Sequence, residues 1–522
     1  MFLGKPKIKQ KTVLVQRPPA LTADSTPAPR PPSHVRPGSA ARSSSAPRAP
    51  PPRYQVSQSR AQRRTPAPAA RAESRKRKGT DTPQWASSDE SSGSEDGARV
   101  GPGVKRAKGA ARGGSSSTEP MQFHRTLEPD LRRRIRIREH EVMGGTMDGT
   151  ADGAENGEPT RTENGASTDT YGHLVHGLDM SRGKGAKDYK PAFPDSSTPT
   201  ILELQYPSPS RPERFEAVDP LDISEGYSPL NDIYFSIEEM IQHYLPPDLA
   251  TSLSSDTEGI VRLLKRAVSK NCPADFQTEL AKFNTLLRDN LSNGTIPRII
   301  DDMHAIPLSL VKRITAQSYN RIVSPHAHRL RKVKGKETTY GELLTPFVHK
   351  FFAQTSLNSS HVFVDLGSGV GNVVLQAALQ TGAEAWGIEK MDLAASLGAQ
   401  QAAELQARSR LWNIRLGALR LLHGDFLDSP VIDAVLRRAD VVLVNNKVFG
   451  ESLNNSLLQK FLDLKLGCKV VSLESFGGGA KHGVRNEQSI AGLFAEERFE
   501  SGTNSVSWAG ESVEYFIATK VR

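Results

Sequence analysis

The chain has 522 residues, room for two or three domains, yet only 37% are hydrophobic, which excludes a wholly globular protein. Two cysteines, Cys272 and Cys468, exclude a disulfide framework, and neither a run of ~18 apolar residues nor a secretory-type N-terminus is present. The net charge of +10 is unevenly spread: Met1 to Gly114 carries 23 Lys and Arg against 7 Asp and Glu, a surplus of +16 that leaves −6 for the remainder.

The first segment is rich in Pro, Ser, Ala and Arg (RPPSHVRPGSAARSSSAPRAPPPR). It cannot build a core and is predicted to be a disordered basic arm. Its densest runs are Arg75-Lys76-Arg77-Lys78 and Lys105-Arg106-Ala107-Lys108. They suit a nuclear localisation signal or a phosphate-binding arm; the bland alternative is a solvated tail, but basicity over the whole arm favours a polyanion such as DNA. Leu131 to Arg138 (LRRRIRIR) fits a short helix, an edge strand or a further phosphate contact, and the residues do not choose among them. Gly144 to Gly185 reads as linker. Arm and linker together are placed at residues 1–199.

Order is expected from residue 200. Asp232 to Leu245, Glu258 to Lys270, Phe276 to Asn293 and His304 to Val323 have helical periodicity, giving a helical subdomain at residues 200–336. A third region, residues 337–522, begins with a polar turn and an apolar helix (Glu337 to Gln354). It is organised around HVFVDLGSGVGNVVLQAAL (His361 to Leu379): a strand, a glycine turn and a helix N-terminus. The turn is expected to present backbone N–H groups and to let a ligand approach the backbone. Its spacing is GxGxG, with Asn372 where a dinucleotide fingerprint has its third glycine. Asp365 precedes the glycines, where it would repel a pyrophosphate and attract an amino group. Both details favour S-adenosylmethionine over NAD.

Strand signals follow at Ala385 to Lys390, Leu419 to Phe426, Val441 to Asn446 and Lys469 to Ser475, separated by helices such as Asp392 to Trp412. Repeated βα units imply a parallel sheet. SVSWAG and VEYFIATK (Ser505 to Lys520) read as a closing antiparallel hairpin, the ending of a class I S-adenosylmethionine methyltransferase (Rossmann-like) sheet. The ligand belongs at the C-terminal ends of the strands. There, Glu389 can accept ribose hydroxyls and Asp425 the adenine amino group; Phe426 can stack on the base, and Asn445 and Asn446 end the fourth strand. Singly, each has a bland reading as a helix cap or core residue; four consecutive strands ending in suitable groups carry the expectation.

TYGE (Thr339 to Glu342), VDLGSGVG, GIEK, GDF, LVNN and SVSW with a downstream Tyr resemble the disruptor of telomeric silencing methyltransferases, the non-SET enzymes that modify lysine 79 of histone H3. The resemblance covers roughly Ser210 to Arg522, and the basic arm is similar to that of fungal members. It implies a nuclear chromatin regulator with roles in telomeric silencing and the DNA damage checkpoint. The nucleosome is the implied partner through histone H3, with the H4 tail and ubiquitylated H2B as further candidate contacts and DNA bound by the arm. Tyr340, Gly341, Glu342 and Leu343 would cover the cofactor's methionine end. Phe363, Val364, Asp365, Leu366, Gly367, Ser368, Gly369, Val370, Gly371 and Asn372 would line the cofactor, with Asp365 on its ammonium group, Glu389 on the ribose and Asp425 with Phe426 at the adenine. Asn445, Trp508 and Tyr515 would wall an apolar channel for the target lysine. Lys447 departs from the family, which usually has an aromatic residue after the two asparagines. Pointing inward it makes the channel mouth more positive; pointing outward it changes nothing.

Such chemistry needs few catalytic groups. The amine must lose its proton, and a lysine pKa of ~10.4 falls on burial in an apolar channel. Alignment and desolvation would do the rest. Glu342 would either accept the proton or anchor its loop, the second being the stronger reading. The alternatives are a methyltransferase of the same fold acting on RNA or a non-histone protein, and a chromatin binder without activity. LVNNKVF lacks the prolines of an amino-methylating nucleic-acid motif, and Asp365, Glu389 and the glycines that an inactive binder could lose are all present.

Overall fold

The computed structural model describes residues 126–138, 173–182, 188–195, 199–222, 227–331, 341–477 and 490–522. The arm to residue 114, with Arg75 to Lys78, and Tyr340 lie outside the described residues.

The N-terminal subdomain is helical as read, but it opens with short strands. After α1 (Gly177–Ser181), β1 (Tyr189–Pro191) pairs with β4 (Val218–Pro220), and β2 (Ile201–Leu204) with β3 (Glu213–Glu216), all antiparallel. Helices α2 (Pro229–Tyr244), α3 (Pro247–Leu253), α4 (Ile260–Ser269), α5 (Pro273–Ser292), α6 (Thr295–Asp301), α7 (Leu308–Ile322) and α8 (Ala327–Leu330) follow. Helix α2 shows why they form where they do. Pro229 stands in its first turn, and the Ser228 hydroxyl accepts from the Asn231 N–H. Leu230, Ile233, Ile237, Met240, Ile241 and Tyr244 supply one buried face.

The α/β region runs α9 (Thr345–Thr355), β5 (Val362–Leu366), α10 (Asn372–Gln376), β6 (Glu384–Glu389), α11 (Asp392–Leu411), β7 (Leu419–His423), α12 (Pro430–Leu436), β8 (Val441–Val444), α13 (Glu451–Lys460), β9 (Lys469–Ser472), β10 (Phe494–Glu500) and β11 (Glu514–Lys520). These strands form one sheet in the order β10-β11-β9-β8-β5-β6-β7. Strands β5 to β9 are parallel, and β11 runs antiparallel between β9 and β10. Val362–Leu366 and Val441–Val444 are buried throughout, as expected of parallel strands covered on both faces. The order reverses between β5 and β8, which opens a crevice at their C-terminal ends.

The structure corrects two expectations. The closing hairpin is β10–β11, and residues 505–510 form the loop between them. Val506 makes only isolated bridges, to Leu343 and Ala509. Order also starts well before residue 200: Leu127, Arg133, Ile135, Leu178 and Phe193 are all buried. Residues 126–138 are a strap without regular structure, apart from one bridge between Arg136 and Ile414. Arg133 donates to the carbonyls of Gln380 (2.5 Å) and Leu379 (2.6 Å), and burial pulls its guanidinium down to about 10. The Arg415 N–H donates to the Ile135 carbonyl, and Arg136 pairs with Asp301 at 2.8 Å. The Asp130 carboxylate accepts from the Ser359 hydroxyl at 2.6 Å. Ser359, Gln380 and Arg415 precede β5, β6 and β7, so the strap crosses the N-terminal ends of the strands, away from the crevice.

A buried ionic network joins the helical layer to α11. Glu213 of β3 binds Arg321 of α7 and Arg408 of α11, each at 2.7 Å. Arg321 also binds Asp232 of α2 at 2.6 Å, and Arg408 binds Glu404 at 2.7 Å. Burial alone would raise the Glu213 carboxyl; the two arginines hold it at about 2.

Candidate active site

A cavity of about 1150 Å³ opens at the C-terminal ends of β5, β6 and β8. The glycine turn forms its floor. Gly367, Gly369 and Gly371 all have positive φ (88°, 56° and 84°), a path that a side chain would strain. The sequence leads one to expect a turn that presents its N–H groups to a ligand; instead, four of them are bonded within the protein. Those of Gly367 and Ser368 donate to the Ile388 carbonyl at 3.0 Å, and that of Gly371 to the Ser368 carbonyl at 2.8 Å. That of Gly369 donates to Glu389 Oε2 at 2.8 Å. The loop therefore spends three of these donors on β6 and the fourth within the turn, which suits a cationic ligand better than a phosphate.

Asp365, at the end of β5, is buried and lines the cavity. Burial, then the neighbouring Glu389, pushes its carboxyl up to about 8. A buried carboxylate beside another carboxylate is a place for an ammonium group. Glu389 lines the cavity at the end of β6, its orientation fixed by the Gly369 N–H and, at 2.7 Å, the Met391 N–H. Asp425 follows β7; it accepts from Lys390 at 2.7 Å and from the Leu427 N–H at 2.9 Å. Burial acts to raise it, but the Lys390 bond and the Leu427 N–H hold it below the usual carboxylate range. Phe426 stacks with Phe449, centroids 6.3 Å apart and planes at 28°, giving this end of the cavity an aromatic wall.

The opposite wall comes from two loops clasped together. The Glu342 N–H donates to Ser507 Oγ, the Ser507 N–H to the Glu342 carbonyl and the Leu344 N–H to the Ser505 carbonyl, each at 2.9 Å. The clasp lays the Trp508 ring on Gly341: a Cβ there would sit 2.5 Å from Trp508 Cε3, so only glycine fits. The Glu342 carboxylate is buried and accepts from the Tyr319 hydroxyl at 3.1 Å. Asn445 contributes a long contact, 3.4 Å, to the Gly341 carbonyl.

Of the residues singled out in the sequence, Gly341, Glu342, Leu343, Asp365, Gly367, Ser368, Gly369, Val370, Asn372, Glu389, Asp425, Phe426, Asn445 and Trp508 line this one cavity. Phe363, Val364, Leu366 and Gly371 do not; the first three pack into the sheet's two cores. Tyr515 does not either. It is fully buried, edge-on to Phe347 at 4.8 Å and stacked on Phe499, and its hydroxyl donates to Gln354 at 2.5 Å. Asn446 is structural: its side chain accepts the N–H groups of Leu473 and Glu474 and donates to the Glu474 carbonyl, tying β8 to β9. The reading missed Lys390, Met391 and Phe449 among the lining residues. The first two directly follow Glu389 and could have been found from the strand-end rule; Phe449 and Leu330 carried no signal. Lys447 does line the cavity, and its ammonium lies 2.5 Å from Glu474.

The family described as "Histone methylation protein DOT1" matches residues 319–520, a span that holds the glycine turn, both clasped loops and every strand end named above. A relative from Aspergillus fumigatus, named "Histone-lysine N-methyltransferase, H3 lysine-79 specific", is 43% identical over 349 residues, covering 66% of this chain and 69% of its own. The chain belongs to the DOT1 family. A Yarrowia lipolytica relative of the same name is 33% identical over 335 residues, covering 63% of this chain and 68% of that one. The DOT1 match begins within α7, while the 349 residues shared with the Aspergillus fumigatus relative extend beyond it into the helices that precede α7.

Proposed function

We propose that this chain is an S-adenosylmethionine-dependent histone-lysine N-methyltransferase acting on lysine 79 of histone H3 in the nucleosome. The observation that carries the reading, with the family membership, is Asp365: a buried carboxylate at the end of β5, raised by its surroundings and followed by a turn in which the Gly367, Ser368, Gly369 and Gly371 N–H groups are already engaged. That is a seat for the ammonium of an amino-acid ligand. Glu389, a carboxylate lining the cavity, suits ribose hydroxyls, and the stacked Phe426 and Phe449 rings suit a base. When bound, S-adenosylmethionine supplies an activated methyl group. The chain's residues then have three tasks. Asp365 and Glu389 fix the donor's polar ends. Gly341, Asn445 and Trp508 wall the approach for the acceptor. Burial of the acceptor's stem favours loss of its amine proton, so no strong base is required. Glu342, held by Tyr319 and the clasp, anchors its loop.

Finer contacts belong to the same proposal. The +16 surplus of the first 114 residues suits DNA, the H4 tail and ubiquitylated H2B are further nucleosomal contacts, and the nucleus is the location. The test is transfer of a radiolabelled methyl group to nucleosomes, free core histones, a short H3 peptide and total RNA in parallel. Label should appear on H3 in nucleosomes and vanish when lysine 79 of H3 is changed to arginine. Label on RNA, or equal rates on the peptide, would refute the proposal.

A further inference from the structure

Among the described residues, seven charged ones line the cavity: Glu342, Asp365, Glu389, Lys390, Asp392, Asp425 and Lys447. Among these described residues the cations are Lys390 and Lys447, and each is matched. Lys390 pairs with Asp425, on the side of β6 and β7 where the donor's ribose and base would lie. Lys447 pairs with Glu474, and the sheet order puts this second pair on the other side. Lys447 follows β8 and Glu474 follows β9, both beyond β5 from the ribose end. Lys447 also shares its short segment with Asn445, which faces Gly341 of the acceptor wall.

The pair is built rather than incidental. The Glu474 N–H donates to Asn446 Oδ1 at 2.8 Å, and its carbonyl accepts from Asn446 Nδ2 at 3.1 Å and from Ser472 Oγ at 2.9 Å. Asn446 is 1% exposed, so this anchor is fixed from within. The next carboxylate along, Glu496 on β10, is engaged by the Ser475 hydroxyl at 2.6 Å. Of the other charges facing the cavity, Glu342 is bonded to Tyr319, Asp392 is paired with His423 at 3.0 Å, and Asp365 and Glu389 sit at the donor's end. Lys447 lines the cavity, and its side chain and that of Glu474, its partner outside the lining, are 42% and 48% exposed, so the pair stands at the solvent edge of the cavity. An ion pair that exposed adds little to stability. Its consequence is for what passes it. A lone ammonium at the mouth would repel a cationic acceptor, and a lone carboxylate would retain it.

We propose that the Lys447–Glu474 pair is a specificity-determining element that keeps the acceptor side of the cavity mouth electrically neutral, and so sets the affinity for a lysine acceptor. This rests on the methyltransferase reading above. The experiment is steady-state methyl transfer to nucleosomes by the full chain and by Glu474→Gln, Lys447→Gln and the double variant, at two salt concentrations. Glu474→Gln should raise the acceptor KM about two- to fivefold, Lys447→Gln should lower it by a similar factor, and the double variant should fall between them. The changes should fall on KM rather than kcat and shrink at high salt. A purely structural pair would instead make both single variants worse in the same direction, and that result overturns the inference, as does an unmoved KM. A lower KM in Glu474→Gln would mean that the pair faces phosphate and would overturn it too. Absence of transfer by the wild-type chain would instead sink the reading on which the inference rests.

Discussion

Asp365 shows what a single side chain can report. Its ordinary value is 3.8, and in the fold burial and Glu389 lift it to about 8. Between those values the folded chain holds a proton that the unfolded chain has lost, so the contribution of this residue to stability falls as pH rises through that window. Against Asp365→Asn, which does not titrate, the ligand-free wild type should lose unfolding free energy steadily as pH rises from 5 to 7, by on the order of 1 kcal/mol per pH unit, and level off above pH 8. A ligand carrying an ammonium group should flatten the difference. Denaturant melts across pH measure it, and parallel curves for the two proteins would show that Asp365 is solvated after all. The existence of the site was legible at this scale because Asp365, Glu389 and Asp425 all end strands. What each strand-end residue does was less so. Asn445 and Asn446 are indistinguishable in sequence, yet one faces the cavity and the other is a buried staple, because successive residues of an extended chain point to opposite sides.

At the scale of elements, the four strands of βα type were readable to within a few residues, since buried apolar runs between helices leave few alternatives. The closing hairpin was not. Ser505 to Gly510 alternates like a strand, but its partner is the 341–344 loop rather than β11, and no local pattern encodes a contact across about 160 residues. That misreading concealed the clasp. If the clasp couples the donor's cover to the acceptor wall, Ser507→Ala should cost only about 1 kcal/mol of stability, the value of one hydrogen bond. It should nevertheless raise the KM for cofactor and acceptor together, and Ser507→Thr, which keeps the hydroxyl, should restore both. A shift in melting temperature with neither KM changed would leave the clasp a merely structural tie.

For the molecule as a whole, charge divides the labour: a surplus of +16 in the first 114 residues, and −6 in everything after them. Deleting residues 1–114 touches no residue of the cavity, so cofactor affinity should hold. Nucleosome affinity should drop, and its log–log dependence on salt should flatten by roughly 3 to 6, since each lost phosphate contact removes about 0.9. Binding across a salt series measures this; an unchanged slope would assign the nucleosome to the folded body alone. The strap has a consequence of another kind, in time. Arg133 is 246 and 247 residues ahead of the carbonyls it caps. At ribosomal rates of about 5–20 residues per second, it waits roughly 12 to 50 s for Leu379 and Gln380 to be made. Throughout that interval the nascent chain presents Arg133 without the carbonyls it will cap, beside a large polyanion, the ribosome's own RNA. The strap can close only after Leu379 and Gln380 have been synthesised, so the N-terminal edge of this sheet joins the first segment of the ordered chain to its middle and cannot form while only the first is made.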